Sequence, residues 1–213
     1  SSITISIEIT YRDFLFLFDL ARILVAGVVL GLIVGKLVLR SPCQIERLRP
    51  RYWRASIKKM KRMQWVKLIT VALWVAAASL IISSVLGALL QQAEIQVVSP
   101  EEYPFTSMER DYPLLVLLAV NILPIFEEWV FRGVIIDEMI RWRRSKSLAV
   151  VVSALLFTVF HLSNPGTYPA LVVTMLPASL LLGVCYLYTG LGGAIVAHNS
   201  YNTFLVIVGA LMR

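Results

Sequence analysis

Histidine and cysteine are nearly missing from this chain: 213 residues carry two of each. Cys43 and Cys185 show neither C-x-x-C nor metal-ligand spacing, which excludes a disulfide framework and a thiolate-rich zinc site. Charge is scarce as well. Asp, Glu, Lys and Arg make up 15% of the residues, where soluble domains usually carry about 25%. The H-E-x-x-H helix of zinc peptidases is absent. So are internal repeats and low-complexity tracts. The chain opens Ser-Ser without a basic leader and small-residue cleavage site, and is expected to be a trimmed product.

What is present is apolar. Hydrophobic residues make up 58% of the chain and the mean hydropathy is +0.78, which places it in the membrane class. A bilayer-crossing helix needs about 20 mostly apolar residues. Six stretches are candidates: Phe14–Leu39, Val66–Leu90, Pro113–Ile136, Leu148–Ser163, Ala170–Tyr188 and Gly193–Met212. The fourth is short and ends at Pro165-Gly166; Gly190, Gly192 and Gly193 form the tight connection before the last. The expected fold is all-α, a polytopic bundle of about six to eight transmembrane helices around a polar intramembrane cavity. Residues 1–112 form an N-terminal region of two spans and a basic loop, and 113–213 a four-span catalytic core.

The net charge of +7 lies between the spans. Arg40, Arg47, Arg49, Arg51, Arg54, Lys58, Lys59, Lys61, Arg62 and Lys67 crowd the first loop against Glu46. The second loop is acidic, with Glu94, Glu101, Glu102, Glu109 and Asp111 against Arg110. The third is basic again: Arg141, Arg143, Arg144 and Lys146 outnumber Asp137 and Glu138. Lys- and Arg-rich loops stay cytoplasmic, so loops one and three face in while loop two and both termini face out. Tyr52, Trp53, Ile57 and Trp65 interleave with the first cationic run, which favours the inner leaflet over nucleic acid as its contact. In the first span Gly27, Gly31 and Gly35 line one helix face, a pattern that lets backbones approach. Asp19 and Arg22 are spaced to pair.

Both histidines sit inside apolar stretches, and a third stretch holds Glu127-Glu128-Trp-Val-Phe-Arg132. Charges at membrane depth cost on the order of ~2.5–3.5 kcal/mol each on the insertion scale, so they argue for function. Neighbouring side chains on a helix point about 100° apart, which gives the two carboxylates different roles. Glu128 and Arg132, four apart with the acid first, are placed to pair. Glu127 shares its face with Leu123 and Phe131, apolar surroundings that suit a general base. Phe157 and His161 share one helix face, and His198 and Asn202 another. Three helices can then bring a carboxylate, two imidazoles and an amide to one cavity, the parts that water-mediated acyl hydrolysis requires. Counted from their cytoplasmic ends the three helices hold these groups at different depths, so convergence requires tilt, a broken helix or shifted boundaries.

Taken singly, each element has a plainer explanation: interhelical glue for His161, His198 or Asn202, packing for Phe157, a structural pair for Glu128 and Arg132. Together, in order and spacing, Glu127-Glu128-x-x-x-Arg132, Phe157-x-x-x-His161 and His198-x-x-x-Asn202 resemble the motifs of the CAAX protease and bacteriocin-processing family (CPBP, also called ABI). Within that family the chain resembles the type II CAAX prenyl endopeptidases, which form an eight-span bundle. The resemblance runs from Pro113 onward. It implies that Glu127, helped by His161, activates water, that His198 and Asn202 stabilise the oxyanion, and that Glu128 and Arg132 support the base. It implies as substrate a peptide near the C-terminus of a membrane-anchored protein, of which prenylated CAAX proteins are one class. Glu127, His161 and His198 could instead hold zinc; a metal-free reaction is preferred because Asn202 is a poor zinc ligand and a good oxyanion donor. Two rivals stand beside the protease: a non-catalytic scaffold or immunity protein, and a proton-coupled transporter using the same buried groups.

Overall fold

The computed structural model describes residues 11–99, 108 and 112–211. Among them all regular structure is helical, save one antiparallel bridge between Val98 and Thr167. Helices α1 (Tyr11–Arg40), α2 (Cys43–Glu46), α3 (Pro50–Lys59) and α4 (Arg62–Gln92) precede the second loop. Then come α5 (Pro113–Glu128), a π-helical segment (Trp129–Ile136), α6 (Asp137–Arg143), α7 (Lys146–His161) and α8 (Leu171–Leu211). The acidic residues Glu101, Glu102, Glu109 and Asp111, with Arg110, lie outside the described residues.

The expected count of six to eight spans is not confirmed. Among the described residues, four helices are long and apolar enough to cross a membrane: Leu20–Arg40, Arg62–Gln92, Pro113–Arg143 and Leu171–Val208. One expected stretch falls short for a physical reason, and two others adjoin at a kink. The α7 helix has 16 residues, about 24 Å at 1.5 Å per residue, short of a hydrocarbon core of about 30 Å. The fifth and sixth stretches form α8, two helical arms that meet at a kink at Gly190 (φ 74°, ψ −171°), a conformation essentially confined to glycine, where the glycine connection was expected. The break divides α8 into two arms, residues 171–189 and 191–211.

That break and the π segment interrupt the two helices that carry His198 and Glu127. A π turn closes i→i+5 bonds and re-aims the side chains around it, and such turns recur at functional sites. Here it follows directly on Glu127-Glu128 and continues to Ile136. Its side chains Phe131 and Ile135 pack with Phe157 of α7 in one buried cluster. Ile136 joins Ala149, Val150, Tyr186, Leu191 and Ala194 in a second. A third cluster, Ala72 with Leu182, Cys185 and Ala197, seals α4 along both arms of α8.

The glycine stripe of α1 does not serve as expected. A Cβ at Gly27, Gly31 or Gly35 would meet nothing within 4 Å, and Leu24, Val28 and Leu32 are exposed; α1 presents an apolar surface suited to lipid. The close approach occurs at Gly183, where a Cβ would stand 2.8 Å from Val150 Cγ1. The Asp19 side chain lies outside the described residues, while Arg22 donates to the Asn164 carbonyl at 3.0 Å.

The first loop turns partly inward. Arg47 pairs with Asp137 at 2.8 Å and donates to Tyr186 Oη at 3.1 Å and to the Gly133 carbonyl at 3.2 Å. Trp129 Nε1 donates to the Gln44 carbonyl at 2.9 Å, and Trp53 Nε1 to that of Arg47 at 2.7 Å. Arg141 reaches Ser41 Oγ at 2.8 Å. The loop thereby clamps the π segment and α6. Tyr52 and Ile57 of α3 remain exposed, whereas Trp53 packs on the second core cluster.

Candidate active site

Glu127 is the penultimate residue of α5, one turn after Pro124. His161 ends α7, and His198 and Asn202 lie one turn apart on the second arm of α8. All four line one cavity of about 540 Å³. The Glu127 side chain is 24% exposed. Its Oε1 stands 4.0 Å from His161 Nε2, and its Oε2 stands 3.8 Å from His198 Nε2. Those gaps exceed a direct hydrogen bond and are short enough for one water to touch acid and ring together.

The rings are held from behind. His161 Nδ1 lies 2.9 Å from the Phe157 carbonyl, an acceptor, so Nδ1 carries the hydrogen and Nε2 faces Glu127. His198 Nδ1 lies 2.8 Å from Glu128 Oε1; a carboxylate accepts, so this ring is oriented the same way. Phe157 packs 4.3 Å from the His161 ring centroid and 5.8 Å from that of His198. It is the wall between motifs as well as a core side chain.

Glu128 and Arg132 are fully buried and pair at 3.1 Å. Such a pair is costly unless other groups satisfy its remaining polar atoms. Part of that support comes from a residue that the sequence did not single out. Arg132 Nη2 donates to Ser179 Oγ at 2.8 Å and to the Ser179 carbonyl at 3.1 Å. The guanidinium lies over the Phe157 ring, 4.4 Å from its centroid. Ser153 Oγ donates to the Phe131 carbonyl at 2.6 Å, tying α7 to the π segment. A serine within an apolar run carries no pattern that would have marked Ser179. Asn202 Nδ2 donates to the Val120 carbonyl at 3.3 Å, which leaves its second N–H available.

Zinc would demand a closer donor set. Tetrahedral zinc with bonds of about 2.0–2.1 Å sets its ligand atoms about 3.3 Å apart. The observed gaps from Glu127 are 3.8 and 4.0 Å. Among the described residues, no three His, Cys, Asp or Glu side chains are grouped so as to hold a metal ion. The donor set is right in kind and too widely set as the side chains stand.

These features define an all-helical membrane protein with a carboxylate, two oriented imidazoles and an amide around one internal cavity. Residues 109–204 match the family described as type II CAAX prenyl endopeptidase, Rce1-like. That stretch contains all three motifs, so over these residues the chain is similar to this family. No curated protein matched the chain, and no solved structure did.

Proposed function

We propose that the chain is an intramembrane endopeptidase that cleaves near the C-terminus of a membrane-anchored substrate, with prenylated CAAX proteins the class named by its family. The observation that carries this reading is the meeting of Glu127 with both Nε2 atoms across gaps that one water can bridge. Glu127 takes a proton from that water while the oxygen bonds to the scissile carbonyl carbon. His161 Nε2, fixed by its Nδ1 contact, orients the water. Asn202 Nδ2 donates to the developing oxyanion, as does His198 when its Nε2 bears a hydrogen. Glu127 then passes the proton to the amine as the C–N bond breaks, leaving a carboxylate and a free amine. Glu128 and Arg132 hold His198 in place, and the reaction proceeds without metal.

The test is cleavage of a farnesylated CAAX peptide by protein purified into nanodiscs. Glu127→Ala is expected to lower kcat by roughly 10²–10⁴-fold, the usual worth of a general base, with the melting temperature kept. Retained activity rules out Glu127 as the base, and no cleavage by the natural protein favours a scaffold. Stoichiometric zinc lost together with activity would overturn the metal-free route.

A further inference from the structure

The cavity has one wall that neither the motifs nor the matched stretch accounts for. It comes from α4, where Ser79 lines the cavity together with Ser179, Tyr201 and His198. Ser79 is 2% exposed. Among the described residues it is the buried hydroxyl without a hydrogen-bond partner.

A serine on an apolar helix normally relieves itself by donating to a carbonyl one turn back. Other hydroxyls here do find carbonyls. Thr158 reaches the Ala154 carbonyl at 2.8 Å, Thr189 that of Cys185 at 2.7 Å, and Ser83, one turn beyond Ser79, that of Thr174 at 2.9 Å. Ser79 makes no such bond. A buried hydroxyl left alone is destabilising, and alanine in its place is close in shape and free of that cost. A hydroxyl that lowers stability while bordering a reaction cavity is explained by an occupant that satisfies it.

We infer that Ser79 forms a hydrogen bond with the peptide backbone of the bound substrate, making α4 one wall of the substrate subsite. A hydroxyl both donates and accepts, and turning about the single Cα–Cβ bond moves it between staggered positions. It can therefore meet a backbone N–H or C=O. Leu123, Val120, Met175 and Leu205 on the same cavity suit the apolar part of such a substrate. This inference rests on the hydrolase reading above.

Opposite signs in stability and affinity form the test. Ser79→Ala should lower kcat/KM for the farnesylated CAAX peptide by about tenfold, mostly through KM, the order expected for one hydrogen bond. Its melting temperature should be unchanged or higher. Ser79→Thr, which keeps the hydroxyl, should lie closer to the natural protein in KM. Unchanged kcat/KM in Ser79→Ala overturns the subsite and leaves the hydrolase intact. A lower melting temperature with unchanged KM also overturns it, because the hydroxyl is then structural. Anisotropy binding of the same peptide to Glu127→Gln protein, with and without Ser79→Ala, separates the two proposals. Ser79-dependent binding without any cleavage by the natural protein retains the subsite and removes the hydrolase.

Discussion

At the scale of single residues, the proposed chemistry depends on how a full charge is kept inside the bundle. Arg132 has no exposed surface; its Nη1 lies 3.1 Å from Glu128 Oε1, and among the described residues its Nε finds no hydrogen-bond partner. Glu128, Ser179 and the Phe157 ring therefore carry its stabilisation among them. Losing a hydrogen bond to a buried charge costs about 1.5–3 kcal/mol. Ser179→Ala should lower the melting temperature by that measure and lower kcat, because Arg132 holds Glu128 and Glu128 holds His198. Ser179→Thr should restore both, measured as thermal unfolding and as kcat well below the melting transition. Unaltered values in the alanine variant would make the clamp idle.

At the scale of elements, the site is assembled by interruptions. A straight α-helix from Pro113 to Arg143 would pass Glu127 and Glu128 without the wide turn that begins at Trp129. A straight helix through Gly190 would run its second arm on along the first instead of turning at the break. The packing that fixes these bent elements is tight where α7 meets α8. Gly183→Ala brings a methyl against Val150 Cγ1 at 2.8 Å, and overpacking of this kind costs about 1–3 kcal/mol. Thermal unfolding should show Gly183→Ala destabilised and Gly183→Ala/Val150→Ala partly restored. Additive losses in the double variant would place the strain elsewhere.

At the scale of the whole molecule, orientation in the bilayer follows from loop charge, and the two cysteines supply its test. Cys43 is exposed in the basic first loop, whereas Cys185 is buried between α4 and α8. If the basic loops face the cytoplasm, a membrane-impermeant maleimide should label Cys43 in inverted vesicles and spare it in right-side-out ones. Cys185 should stay unlabelled in both. Labelling of Cys43 from outside would reverse the topology. Arg47 complicates a purely lipid-facing loop, because its guanidinium is spent on Asp137, Tyr186 and Gly133. The loop is part of the protein's own packing as well as a charged surface.

Residue type and periodicity alone determined the all-helical class, the apolar segments and the shortlist of Glu127, Glu128, Arg132, Phe157, His161, His198 and Asn202. They could do so because burying charge in hydrocarbon is costly, so each polar group there stands out against its neighbours. Helical spacing of four then shows which groups share a face. Tertiary structure decided what such spacing cannot carry: the π turn after Glu128, the angle at which the two arms of α8 meet at Gly190, and the open space beside the α1 glycines. It also brought in Ser179, Ser79 and Arg47, whose residue types are unremarkable where they stand in the chain. Their partners are far away in sequence and are supplied only by how the helices pack.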